Sequence, residues 1–304
     1  MVNLLTRTKN KFVRVIYKIP FLQEQANLAY QEALKKHAAN LPKISTNDMN
    51  IVEKLKYEGV AITSLDALGI DSSPAMFQAA KNLIPKLPNQ INGDKNEFVI
   101  HADSQQMMKN LEIQLWGIEQ RLLNIAENYI GLPVAYHGAY FRRDFANKIQ
   151  QKTRLWHLDN DDRKVVKIIL YLNDVNEDGG PFQYIPKSFA SRVGQSLNYH
   201  HGYIADTTIQ KIVSPSNWRK CTGPAGTVIF AAVANTFHRG MLPIAADRFS
   251  IFFDYTSRRV QQPFYGSFSL PPDTLFLLAN TLTKQQRKCI FWQPHSLSEP
   301  KWEI

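Results

Sequence analysis

The chain has no apolar run near the ~20 residues a membrane-spanning helix takes, so it is not expected to cross a membrane in that way. It is poor in cysteine: Cys221 and Cys289 are the only two in 304 residues, far apart and without ligand-type neighbours. That excludes a disulfide scaffold and a cysteine-based zinc site, and it fits reduced thiols and a cytoplasmic location. Acidic residues are outnumbered, 26 against 36 basic ones, giving a net charge of +10. The basic residues are scattered, however. There is no zinc-finger spacing, RNA-recognition motif or long Lys/Arg block, so nucleic acid is not the expected partner. Internal repeats and low-complexity tracts are also lacking.

One basic segment is denser. Arg7, Lys9, Lys11, Arg14 and Lys18 all precede the first acid, Glu24, and alternate with Phe12, Val13, Ile16 and Tyr17. This suits a basic amphipathic helix making peripheral membrane contact through residues 1–22. It equally suits a targeting peptide or a surface helix packed on the domain. The three readings stay open at this point.

Residues 1–50 form a polar, basic, helical extension, with a helix expected over 23–37. Residues 51–262 form the main domain, and 263–304 a closing tail and helix carrying Lys284, Arg287 and Lys288. Within the main domain a strand is expected near 59–63. A long helix over 104–129 follows, with Leu111, Leu115, Ile118, Leu122 and Ile125 on one stripe and Gly131 as its stop. From there the pattern turns to strands, at 134–142, 165–172, 227–233 and 248–255. The run 165–172 is apolar throughout save for Lys167 and Tyr171, as in a strand buried on both faces. Strands punctuated by turns, after mostly helical segments, point to a mainly β fold: a sandwich or jelly roll with flanking helices. The mixed insert at 186–218, with a helix expected from Asp206, has the length and composition of a lid or binding loop.

The chemistry concentrates in the tripeptide His157-Leu158-Asp159. On an extended chain, residues i and i+2 face the same side, so an imidazole and a carboxylate converge. One more histidine would complete a two-His, one-carboxylate facial triad, which leaves the opposite octahedral face open. By itself the tripeptide is weak: eight His and fifteen Asp give about 0.4 such pairs by chance. A second one, His101-Ala102-Asp103, does occur, but it lies just before the long helix, where Asp103 or Ser104 serves as an N-cap. His157 and Asp159 sit instead among strands. His238, in Thr236-Phe237-His238-Arg239-Gly240, follows a later apolar strand and is the candidate third ligand. Ten residues on, Arg248 and Ser250 share one strand face. A buried guanidinium there needs an anion. A ligand carboxylate held bidentately would serve, and so would a protein acid such as Asp247 or Asp254.

In order along the chain come the His-x-Asp motif, the apolar strand, Asp178-Gly179-Gly180-Pro181-Phe182 with Ile185-Pro186-Lys187-Ser188, Ala225-Gly226-Thr227-Val228-Ile229-Phe230, His238-Arg239-Gly240 and Arg248. From about Tyr57 to Tyr255 this succession resembles the phytanoyl-CoA dioxygenase-like family of iron(II)/2-oxoglutarate oxygenases. The resemblance implies a double-stranded β-helix (jelly-roll, cupin-like) core. It implies that His157, Asp159 and His238 hold Fe(II), that Arg248 binds the distal carboxylate of 2-oxoglutarate with Ser250 beside it, and that O2 is the oxidant. Tyr140, on the strand before the motif, is the candidate contact to the other end of 2-oxoglutarate. Two features depart from the family: Lys187 and Phe189 stand where a glycine and a histidine are usual, and Gly240 stands where several members carry serine. Halogenating relatives lack the acid, so the retained Asp159 favours hydroxylation of a small-molecule substrate, lipid-like or a natural product. Tyr136, Arg142, Tyr199 and His200 are the candidate substrate contacts. The rival reading is a non-catalytic jelly-roll module that binds a ligand or protein, and an incomplete triad with His157 far from His238 would favour it.

Overall fold

The computed structural model describes residues 20–89, 97–259 and 278–292. Residues 1–19 of the basic segment, and most of the tail beyond residue 259, lie outside these. The strands are β1 (Val60–Ser64), β2 (Val99–His101), β3 (Val134–Asp144), β4 (Val166–Tyr171), β5 (Phe182–Tyr184), β6 (Arg219–Cys221), β7 (Thr227–Ala231), β8 (His238–Gly240) and β9 (Arg248–Ser257). They form two antiparallel sheets, one in the order β1-β7-β4-β9-β3-β2 and one in the order β6-β5-β8. The apolar run at 165–172 becomes β4, hydrogen-bonded on both sides, to β7 and to β9. That position explains why both of its faces are apolar.

The large sheet has two different faces. Ile251, Phe253 and Tyr255 of β9 point into a core shared with the helices, where Trp116 packs on Phe253 and Tyr136 on Tyr255, ring centroids 4.9 and 5.3 Å apart. Each such buried ring stabilises the fold by roughly 1.5–3 kcal/mol. The alternate residues of β9, Arg248 and Phe252 among them, face the small sheet and enclose a cavity between the two. A third apolar cluster, with Trp156, Ile185, Ile209 and Phe237, covers the back of the small sheet with residues of the 186–218 insert. The fold is a jelly-roll core with flanking helices, and the cavity is its mouth.

The stripe expected as one helix over 104–129 is three helices: Ser104–Met108, Leu111–Trp116 and Gln120–Ile130. At the second break, sterics require a glycine, Gly117. Its backbone lies against the core, its carbonyl accepts from the Tyr255 hydroxyl at 2.6 Å, and a Cβ there would overlap the Tyr136 hydroxyl. Asp103 caps the first helix in a capping box with Gln106, so the His101-Ala102-Asp103 tripeptide ends a strand and starts a helix.

Strand β3 contains a bulge. Tyr136 pairs with Tyr255, but Ala139 pairs with Phe253, so β3 gains one residue between them, and Gly138 there has φ +94°. The extra residue inverts the parity of the strand. Tyr136 faces the helical core, whereas Tyr140, Arg142 and Asp144 pair with Phe252, Ser250 and Arg248 on the cavity face.

Candidate metal centre

The segment around His157 is extended but too short to form a regular strand. Its backbone is pinned by reciprocal hydrogen bonds between His157 and His238, both 3.1 Å, and by Asp159 N donating to Val233 O. On its other side Trp156 exchanges backbone hydrogen bonds with Ile204 at 3.0 and 2.8 Å. Pairing of 156 with 204 puts 157 level with 203 and 238. His157 and His238 therefore share one face of a short ladder, with Tyr203 of the insert beside them. The Tyr203 ring stands edge-on to His157 at 5.3 Å and is 52% exposed.

On that face the ligand atoms of His157, Asp159 and His238 all lie within 4.8 Å of one another. The imidazole centroids are 4.3 Å apart. Asp159 Oδ1 is 3.6 Å from His157 Nε2 and 4.0 Å from His238 Nε2, too far for hydrogen bonds. Each imidazole donates Nδ1–H to the carbonyl two residues back, His157 to Leu155 O at 2.8 Å and His238 to Thr236 O at 2.9 Å. A carbonyl can only accept, so both tautomers are set with the Nε2 lone pair free. Burial pushes both imidazoles down, His238 to about 3 with the help of neighbouring His157, so both are neutral near pH 7. Burial alone would raise the Asp159 carboxyl, but the Lys167 ammonium beside it leads the effects that hold it below the usual carboxylate range. Two neutral imidazoles and one carboxylate, all half-buried or buried on one cavity wall, are a donor set for a divalent metal.

Behind the triad sits a second charged group. Arg248 is 3% exposed and lines the cavity. Its partner is neither Asp247, which pairs with Arg143 at 2.7 Å, nor Asp254, but Asp144, directly opposite in the sheet. Arg248 Nη2 donates to Asp144 Oδ2 at 2.9 Å and Nη1 to Gly180 O. Arg142 holds the same carboxylate bidentately, at 2.9 and 2.6 Å. Burial would raise Asp144, yet Arg142 and Arg248 together keep it ionised, below the usual range. Two guanidinium groups thus share one carboxylate. Arg248 Nε and Ser250 Oγ, on the same strand face, are buried without a hydrogen-bond partner. A carboxylate ligand fits this surplus of positive charge and these two donors. Gly240 leaves room for the guanidinium itself: a Cβ there would lie 3.0 Å from Arg248 Nη2.

The remaining candidates separate. Tyr140 lines the cavity, stacked on Phe252 at 5.1 Å, and burial pushes its phenol well up, so it is a neutral donor. Arg142 lines the cavity as a partner of Asp144. Tyr136 does not reach it: it is fully buried on the other face and donates to Gln114 O at 3.2 Å, because the bulge turns it away. Tyr199 braces the site from outside, its hydroxyl accepting from Leu158 N and donating to Gly202 O. His200 is exposed on the insert and is not among the cavity-lining residues. Asp144 escapes a reading of the sequence, because its role depends on strand register. The insert is fastened by Asp206, which accepts from Trp156 Nε1 at 2.9 Å and from Arg239, the residues next to the two histidines.

No family model matches the chain, and no curated protein does. Solved structures do resemble it. The non-haem α-ketoglutarate-dependent carbocyclase SnoK of nogalamycin biosynthesis superposes with a TM-score of 0.50 at 16% identity, over 71% of this chain and 85% of that one. EctD from S. alaskensis with bound iron matches at TM-score 0.47 and 18% identity, over 71% and 77%. HygX from Streptomyces hygroscopicus, with nickel and 2-oxoglutarate, matches at 0.46 and 12%, over 71% and 88%. The SnoK likeness establishes the shared jelly-roll fold. The reaction has to be argued from the site. Among the described residues no helix is long and apolar enough to cross a membrane.

Proposed function

We propose that the protein is an Fe(II)- and 2-oxoglutarate-dependent dioxygenase of the phytanoyl-CoA dioxygenase-like kind, hydroxylating a small lipid-like or natural-product molecule. The observation that carries this reading is the convergence of His157 Nε2, His238 Nε2 and Asp159 Oδ1 on one wall of a cavity whose floor holds the underpaired Arg248. The incomplete triad that would favour a binding module is not what these residues form.

When bound, iron with 2-oxoglutarate and O2 supplies an oxidation driven by decarboxylation of the cosubstrate. His157, Asp159 and His238 would hold the metal, each imidazole kept in the ligating tautomer by its backbone carbonyl. Arg248 and Ser250 would bind the distal carboxylate of 2-oxoglutarate, with Tyr140 toward its other end. Tyr203, exposed beside His157, would meet the substrate. Asp206 holds that part of the insert in place and so keeps the mouth shaped.

The test is anaerobic titration of the purified protein with Fe(II) and 2-oxoglutarate, followed by measurement of succinate formed under air. Binding of both, with succinate released, is expected. His157→Ala should lower metal affinity by at least about 100-fold, since it removes one of three ligands. Metal and 2-oxoglutarate affinities that are absent in the wild type would sink the reading.

A further inference from the structure

One residue of the central strand remains without a role. Lys167 interrupts the apolar run of β4 and shares its cavity face with Ile169 and Tyr171. A lysine is placed there at the expense of hydration, and the chain surrounds it with acids. Its ammonium lies 2.8 Å from Asp159 Oδ2 and 3.8 Å from Oδ2 of Asp254, its partner across the sheet. The two oxygens of Asp159 are therefore divided. Oδ1 faces the two imidazoles, and Oδ2 is turned to the lysine.

From this division we infer that Lys167 is a positioning residue that restricts Asp159 to one metal-ligating oxygen and so keeps the cavity side of the metal open for a bidentate cosubstrate. The inference rests on the metal-centre reading above. Its physical basis is simple. A carboxylate with both oxygens free can close on a metal through both, and each oxygen so used removes one position from the open face. An ammonium 2.8 Å from Oδ2 opposes that rotation through a close ion pair. It also adds a positive charge to the cavity wall, which favours an anionic cosubstrate over a second carboxylate contact.

The two affinities should consequently move apart when the lysine is removed. In Lys167→Met, Co(II) affinity measured by competition with a chelator should equal or exceed that of the wild type. The affinity of the Co(II) protein for 2-oxoglutarate, measured by calorimetry without oxygen, should fall by about tenfold or more, the order of one lost charge-assisted contact. Lys167→Arg, which keeps a cation beside Oδ2, should recover most of the cosubstrate affinity. Parallel weakening of cobalt and 2-oxoglutarate binding, no change in either, or no recovery in Lys167→Arg overturns the proposal. A wild-type protein that binds no Co(II) fails the metal-centre reading itself, and this shows before any variant is compared.

Discussion

Asp144 holds a single negative charge between two buried guanidinium groups, and its fate measures how the Arg248 end of the cavity is built. In Asp144→Asn, Arg142 and Arg248 lose their shared anion while remaining buried. Breaking a buried ion pair in this way destabilises by about 3–5 kcal/mol. A carboxylate ligand would replace what was lost, so the thermal shift produced by 2-oxoglutarate should be larger in Asp144→Asn than in the wild type. Calorimetric melting of both proteins, with and without 2-oxoglutarate, checks this, and equal shifts would show that the ligand does not reach Arg248. At this scale the sequence shows the candidate ligands but not their partners. His157 and Asp159 stand two residues apart, and His238 and Arg248 ten, in recognisable order. Asp144 and Lys167 gain their roles from residues 104 and 8 positions away, through a sheet register that no local pattern displays.

At the scale of elements, the bulge in β3 decides which tyrosine belongs to the site. Strict alternation from Tyr136 would place Tyr136, Tyr140 and Arg142 on one face, and an unbroken β3 would do so. The extra residue at Gly138 separates them. With φ at +94°, Gly138 occupies a region that a side chain enters at a penalty of about 1–3 kcal/mol. Gly138→Val should lower stability by about that amount. It should also weaken 2-oxoglutarate binding, because the strand that carries Tyr140, Arg142 and Asp144 either strains or slips. Urea denaturation and ligand titration of the same variant test both parts, and normal stability with normal binding would contradict the bulge's role. The long strands β3, β4, β7 and β9 were legible because four or more alternating or apolar residues make a period. Strands β5, β6 and β8 have three residues each and carry no period, so the small sheet that presents His238 could not be read in advance. The helical stripe from 104 to 129 was legible as a buried face but not as three pieces, since the glycine at its second break answers to Tyr136 and Tyr255 from distant strands.

For the molecule as a whole, burying neutral histidines ties the fold to pH. His137 is driven down to about 4 by burial and by Lys167, and its ring is bonded to Thr256 Oγ1 at 2.7 Å. His238 is driven to about 3 by burial and by His157. In the unfolded chain both return to about 6.5. Between pH 6.5 and 4 the unfolded state therefore binds more protons than the folded one, and stability must fall as the pH falls. Each histidine contributes up to about 1.4 kcal/mol per pH unit over that interval. Asp159 and Asp144, held below their ordinary values, extend the loss to more acid conditions, below about pH 4. The metal-free protein should thus be most stable at or above neutral pH and weaken steadily toward pH 4. Replacing His137 with Gln, away from the metal ligands, should remove part of the slope without touching the triad. Urea denaturation at pH 7.5, 6.0 and 5.0 gives the slope directly. If the curves for the wild type and His137→Gln run parallel, the His137 ring takes up protons in the folded chain as it does in the unfolded one, and the proposed neutral packing against Thr256 is wrong. A divalent metal at 100 times its Kd should add about 2.7 kcal/mol at pH 7.5, through the folded state alone. That increment should fall less at pH 6.0 than it would with free imidazoles, because burial drives His238 down to about 3 and lowers His157 as well.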